Sequence, residues 1–252
     1  MSGFDYGVDK DELPSGGGTF KNPEVGEHTA ILRSLIHCGK FREEFKGELK
    51  PVAPEVVAIF ELKGKNNFED DGETPLTIDK SFPLKLGDKA FLTKFQKALD
   101  PNSECSGFDD YIGRACTVSL KGSKDKGEDG KPKYVNFGGI GGITTDSEVL
   151  EFMESKGLLD LQVEGVGHVA FKNLTKAAIM ELHPIRHVAD ILMKGEEYEG
   201  SKAQEIVNEI RKDNPDFAKR KAKDDSDSGS DQSDKADTPP PPPADLDDSQ
   251  EF

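Results

Sequence analysis

The sequence predicts a mainly β chain: a five-stranded barrel with a helix between strands 3 and 4, then a C-terminal α-helical appendage and a disordered acidic tail. Three observations carry this. Period-two alternation of apolar residues recurs in short runs separated by Gly, Pro and Asn. A 3.6-residue period falls between the third and fourth of these runs, and further helical periods follow the fifth. The last thirty residues hold too few apolar side chains to build a core.

Residues 1–23 contain Gly16, Gly17 and Gly18 and little apolar material, so they read as a flexible arm. In Val25–Cys38, Ala30, Leu32, Ile36 and Cys38 alternate with Thr29, Arg33 and His37, the pattern of a half-buried strand. Val56–Leu62 is a β-branched and aromatic run of strand length. Thr77–Leu84 alternates Ile78, Phe82 and Leu84 with polar residues, and Pro83 implies an edge or an end. Asp88 then precedes Phe91, Leu92, Phe95, Ala98 and Leu99 at helical spacing, with Asp100-Pro101 as the stop. Alternation returns in Ala115–Lys121 and Tyr134–Ile140, and Phe60, Phe82 and Phe137 fall on apolar faces and are assigned to the core. Gly138–Gly142 lacks the spacing of a phosphate loop and reads as a strand that bends or ends.

Three strands, a helix and two strands is the element order of an OB fold, a barrel that binds oligonucleotides on its strand 2 and 3 face and its loops. Residues 24–143 are therefore read as a nucleic-acid-binding domain. Residues 144–222 are read as a helical appendage, packed on the barrel or used for self-association. Val149–Met153 forms a short amphipathic turn, and Leu161–Phe171 has no decisive period. Leu174–Met193 is helical with a break at His183-Pro184, and Ser201–Ile210 opens with a capping box, Ser201 and Gln204. Residues 223–252 form the tail, in which Pro239–Pro243 is a stiff spacer before Asp245, Asp247, Asp248, Glu251 and Phe252.

Net charge sharpens the reading. The chain carries 33 Lys+Arg against 49 Asp+Glu, a formal charge of -16. Such an excess argues against a polyanionic partner, which Lys and Arg must attract. Yet Asp224–Phe252 alone carries -9, leaving -7 on the rest. The tail's acids, ending in an aromatic ring, imitate phosphates followed by a stackable base. A 29-residue tail spans roughly 30 Å, enough to reach the chain's own groove or a partner's basic pocket. No run of 18 apolar residues occurs and the start is acidic and glycine-rich, so a soluble, non-secreted, cytoplasmic protein is expected. Cys38, Cys105 and Cys116 form no CxxC pair and read as free thiols.

Basic and aromatic residues interleave where an OB fold binds its ligand. Arg33 lies on the polar side of strand 1, and loop 1-2 supplies Lys40, Phe41, Arg42 and Lys46. Loop 2-3 supplies Lys63, Lys65 and Phe68. Loop 4-5 supplies Lys121, Lys124, Lys126, Lys131 and Lys133, followed by Tyr134. Binding single strands without sequence preference needs cations along the backbone and rings on which bases stack, at roughly 1–3 kcal/mol per base. Enzymatic readings are weak: His183 and His187 lack a third metal ligand, and Glu69, Asp70, Asp71 and Glu73 fit a turn as well as a cation site. No enzyme activity, metal or cofactor is expected.

The segments GEHTAILRSLIHCGKF, VVAIFEL, TIDKSFPLKLGDKAFLTKFQKAL, GRACTVSL, KYVNFGGI and the DDSQEF end resemble bacteriophage single-stranded DNA-binding proteins of the OB-fold type. The resemblance covers roughly 24–143 and the tail. It implies coating of single-stranded DNA during DNA replication, recombination and repair in the infected bacterial host cell. It also implies a tail that recruits polymerase and helicase-primase and competes with DNA for the groove, and it is compatible with a homodimer. The alternative is an OB-like adaptor whose barrel binds protein, with a solubilising tail and no DNA binding.

Overall fold

The longest alternating run in the sequence becomes the strand around which the molecule is arranged. In the computed structural model, which describes residues 21–220 except 43, 128–129, 145 and 160–161, this strand is β1 (Gly26–Phe41). A two-residue hairpin follows, β2 (Glu44–Phe45) and β3 (Glu48–Leu49), turning through Lys46 and Gly47 at positive φ. β1 pairs antiparallel with β4 (Ala53–Leu62) on one side and β6 (Ala115–Gly122) on the other. β5 (Thr77–Pro83) extends the sheet beyond β4, and β7 (Val135–Gly141) extends it beyond β6. The sheet curls into a nearly closed five-stranded antiparallel barrel, with β5 and β7 approaching at the seam. Helix α1 (Phe91–Leu99), between β5 and β6 in the chain, lies against β5, β6 and β7. Its N-cap is Ala90, not the expected Asp88, and no side chain caps it.

Ala30, Leu32, Val56, Ala58, Ile78 and Val118 fill the barrel together with a cluster of rings. Phe60 lies 6.5 Å from Phe95 and 5.7 Å from Phe137, and Phe82 lies 5.5 Å from Phe95. The assignment of Phe60, Phe82 and Phe137 to the core matches this packing.

β1 departs from the expected half-buried strand. Its register shifts between Leu32 and Ser34 and again between His37 and Gly39. Each shift of one residue changes the face presented, so Leu35 enters the barrel while Ile36 and Cys38 turn outward. Both faces are covered, because a second core lies on the outside. Ile36 and Cys38 of β1 and Val57 and Ile59 of β4 meet Val169, Leu174, Ile179, Val188, Leu192 and Val207. The uninterrupted apolar run of β4 is what such a doubly covered strand requires.

The appendage supplies that second core. α2 (Ser147–Ser155) comes first, then β8 (Gly167–Val169), three residues within the undecided Leu161–Phe171 run, which pairs parallel with β1 at Ser34–Ile36. The helix expected over Leu174–Met193 is divided into α3 (Lys176–Glu181), a π-helical turn at Pro184–Ala189 and a 3₁₀ turn at Leu192–Lys194. Pro184 cannot donate a helical hydrogen bond and keeps His183 extended. His183 Nδ1 then accepts from the N–H groups of Ile185 and Arg186, each at 3.1 Å. α4 (Lys202–Asp213) completes the layer, with Ser201 Oγ accepting from the Gln204 N–H at 3.3 Å. Among the described residues no helix is long and apolar enough to cross a membrane. Cys38 and Cys116 are buried free thiols, and burial pushes Cys116 up to about 12. The acidic tail and most of the N-terminal arm lie outside the described residues.

Candidate nucleic-acid interface

Register along β4 separates the sequence-predicted cations into two groups. At the Ala53 end, Lys40 and Phe41 of β1 stand opposite Pro54 and Ala53. Appendage carboxylates reach them: Lys40 Nζ is 4.0 Å from Glu197, whose Oε2 also accepts from the Lys40 N–H at 3.0 Å. Arg42 lies 3.2 Å from Glu196. Phe41 packs against the outer core and lines a pocket of about 330 Å³ with Lys80, Lys85 and Ile191. Lys46 is exposed at the hairpin tip. This end is occupied chiefly by the appendage itself.

At the Leu62 end, Arg33, Lys63, Lys65 and Phe68 line one cleft of about 1080 Å³. Glu61 sits at its base, 5% exposed, 2.8 Å from Lys63 Nζ and 3.9 Å from Arg33. Arg33 Nε also donates to Glu181 of α3 at 3.1 Å, and Lys63 Nζ donates to the Gln162 carbonyl at 3.3 Å. A buried carboxylate needs such partners, since leaving it unpaired costs several kcal/mol. Arg33 and Lys63 therefore fasten β1, β4 and the appendage, whereas Lys65 is exposed to solvent. Phe68 is half-buried and bridges to Pro75 across the loop.

One acid of that loop, Asp71, is committed to its turn. Asp71 accepts from the N–H groups of Glu73 and Thr74 at 2.9 and 2.8 Å and from the Thr74 hydroxyl at 2.5 Å. The Thr74 hydroxyl bond, aided by these N–H groups, holds the Asp71 carboxyl below its usual range. Among the described residues no cluster of three His, Cys, Asp or Glu side chains could hold a metal ion.

The opposite wall comes from the appendage. Lys156 and Gly157, with φ +67° closing the end of α2, line the cleft, and Gln162, Val163 and Glu164 continue the wall. Gly165 lets this segment press onto the first bulge of β1: a Cβ there would lie 2.5 Å from Arg33 Cγ and 2.8 Å from the Arg33 carbonyl oxygen. The next N–H, of Val166, donates to Ser34 Oγ at 3.1 Å. Lys156 was not among the sequence-predicted contacts. Nothing local distinguishes it from any solvated lysine, and only the fold brings it into the cleft that Lys63 lines.

Loop 4-5 adjoins the same rim. Lys21 Nζ donates to the Phe68 carbonyl at 2.7 Å and Asn22 to the Lys133 carbonyl at 3.0 Å, tying the two loops together. Lys121, Lys124, Lys126, Lys131 and Lys133 are exposed, and Lys133 Nζ lies 5.5 Å from the ring centre of Tyr134. The stem of Lys121 lies over Gly138, where a Cβ would come within 2.8 Å of it. Asp245, Asp247, Asp248, Glu251 and Phe252 lie outside the described residues.

His37, His168 and His187 serve the joints between barrel and appendage. His37, expected on the polar side of strand 1, packs edge-on to Phe108 at 5.4 Å, with its Nε2 3.1 Å from His168 Nε2. Asp109 lies 3.1 Å from His168 Nδ1. Burial, helped by His168, lowers the His37 pKa to about 4. His187 Nε2 lies 2.9 Å from Asp79 of β5, which Arg186 also holds at 2.7 Å. Burial opposes ionisation of Asp79, yet His187 and Arg186 keep its carboxyl below the usual range.

Compared with protein-family models, curated proteins and solved structures, the chain matches none.

Proposed function

We propose that the chain binds single-stranded DNA through an OB-type barrel, in the manner of the replicative bacteriophage proteins its segments resemble. One observation carries this reading: Arg33, Lys63, Lys65, Phe68 and Lys156, from three separated stretches of sequence, meet in one cleft. Lys65 and Lys156 are exposed and supply charge for phosphates, Phe68 supplies a ring, and Arg33 and Lys63 hold the cleft's shape. The binding path differs from the usual strand 2 and 3 face, because the appendage covers the outer face of β4. The tail is assigned to recruiting polymerase and helicase-primase, with Phe252 as the docking residue, and to competing with DNA for the cleft.

Fluorescence anisotropy of labelled single- and double-stranded oligonucleotides at two salt concentrations tests the reading. Preferential single-strand binding that weakens with salt is expected. Absence of binding at low salt would overturn it and leave the protein-binding adaptor.

A further inference from the structure

Where the appendage lies over β4, a pocket of about 330 Å³ remains at the Ala53 end, with Ile191 as part of its wall. Cross-strand pairing puts its floor on one side of the sheet: Phe41 of β1 stands opposite Ala53, Glu55 opposite Pro83 and Val57 opposite Ser81. Glu55 lines this floor and is 9% exposed. Lys80, half-buried, and Lys85, exposed, add two ammonium groups, and Phe41 adds a half-buried ring. Glu55, Lys80 and Lys85 were not among the sequence-predicted contacts. The volume falls at the lower end of small-ligand pockets, roughly 300–1,000 Å³.

A buried carboxylate beside two lysines and a ring is a mixed set, and each member restricts the occupant. Phosphates alone are a poor fit, since a carboxylate repels them. A simple amine would satisfy Glu55 and leave the lysines and the ring without a role. A nucleotide uses all three: a base edge donates to the acid, the flat base stacks on the ring and the phosphate meets the ammonium groups. Which base fits follows from its donors. Guanine alone carries two adjacent N–H donors, N1–H and N2–H, on the edge that single strands leave open, and these match the two oxygens of a carboxylate. Thymine offers one N–H between two carbonyl oxygens, which a carboxylate repels, and adenine and cytosine each offer one amino group beside a ring acceptor. A carboxylate has about four acceptor sites, so Glu55 can take both guanine donors and keep a neighbour as well.

We propose that this pocket takes one guanine nucleotide, with its base stacked on Phe41, N1–H and N2–H donated to Glu55 and its phosphate held by Lys80 and Lys85. The guanine comes from a single strand or from a free nucleotide, and the contacts in the pocket are the same. The strand-borne case rests on the nucleic-acid reading; the free nucleotide does not.

Two measurements on the full chain separate the sources. Anisotropy of labelled oligothymidine, with and without one central dG, reads the strand. The dG strand is expected to bind about five-fold or more tightly than oligothymidine or than strands with dA or dC at that place. Equilibrium dialysis of guanosine monophosphate, against adenosine monophosphate as control, reads the free nucleotide. Glu55→Gln keeps the side chain's shape and removes one of the two acceptor oxygens, so it brings the ratio of dG to dT binding to about one and abolishes retention of guanosine monophosphate. Should that change lower the melting temperature, Lys85→Ala at an exposed position tests the same pocket and reduces both effects. Retention without a dG effect assigns the pocket to the free nucleotide, and a dG effect without retention assigns it to the strand. Absence of both effects, equal retention of adenosine monophosphate, or a guanine preference that a folded Glu55→Gln chain keeps would overturn the proposal. If no strand binds at low salt, the single-strand reading falls by itself and dialysis still decides the pocket.

Discussion

Lys65 and Arg33 lie in the same cleft and divide its work. Lys65 is exposed and without structural duty, so Lys65→Ala is expected to weaken single-strand binding and lower the salt slope by about 0.7, with no change in melting temperature. Arg33 holds Glu61 and Glu181, so Arg33→Ala should cost roughly 2–3 kcal/mol of stability as well as affinity, measurable by urea unfolding. Its role was half legible: the sequence marks a cation on strand 1, but nothing local shows that two acids, one of them in α3, would claim it. His37 offers a pH readout. Its folded pKa of about 4 lies below the ordinary 6.5, so the unfolded chain binds more protons between those values. The contribution of His37 to stability is full above about pH 6.5, falls as pH drops towards 4 and is gone below that. Melting temperatures across that window should fall less steeply for His37→Asn than for the native chain.

At the scale of elements, β1 and the segment after α2 determine the shape of the cleft. The bulges of β1 place successive residues in two different cores, and alternation read from sequence assumes an unbroken pleat, so it assigns only one face. Gly165 is the contact that holds the appendage wall against the first bulge. Gly165→Ala should destabilise by roughly 1–3 kcal/mol through overpacking and should also loosen oligonucleotide binding, with thermal melting and anisotropy reporting each effect. The division of the Leu174–Met193 helix was visible at Pro184, whereas β8 was not. A three-residue strand is too short for a periodic signal, and it exists because β1 presents a ladder at Ser34–Ile36.

For the whole molecule, a formal charge of -16 opposes a nucleic-acid partner unless its acids are placed away from the cleft. A chain ended at Lys223 loses nine negative charges net and should bind oligonucleotides more tightly at low salt, the gain shrinking as salt rises. Equal affinity of the two chains by anisotropy would remove the tail from the binding equilibrium. By itself the sequence determined the barrel strands, the rings of their interior and the cation-bearing loops, because alternation, turn residues and local composition are encoded over a few residues. Only the tertiary structure decided that the outer face of β4 is closed, that Lys40 and Arg42 are answered by Glu197 and Glu196, and that Lys156 joins Lys63 and Lys65. Those outcomes depend on side chains up to 157 residues apart in sequence, and no local pattern records which distant carboxylate or apolar face folding will bring alongside.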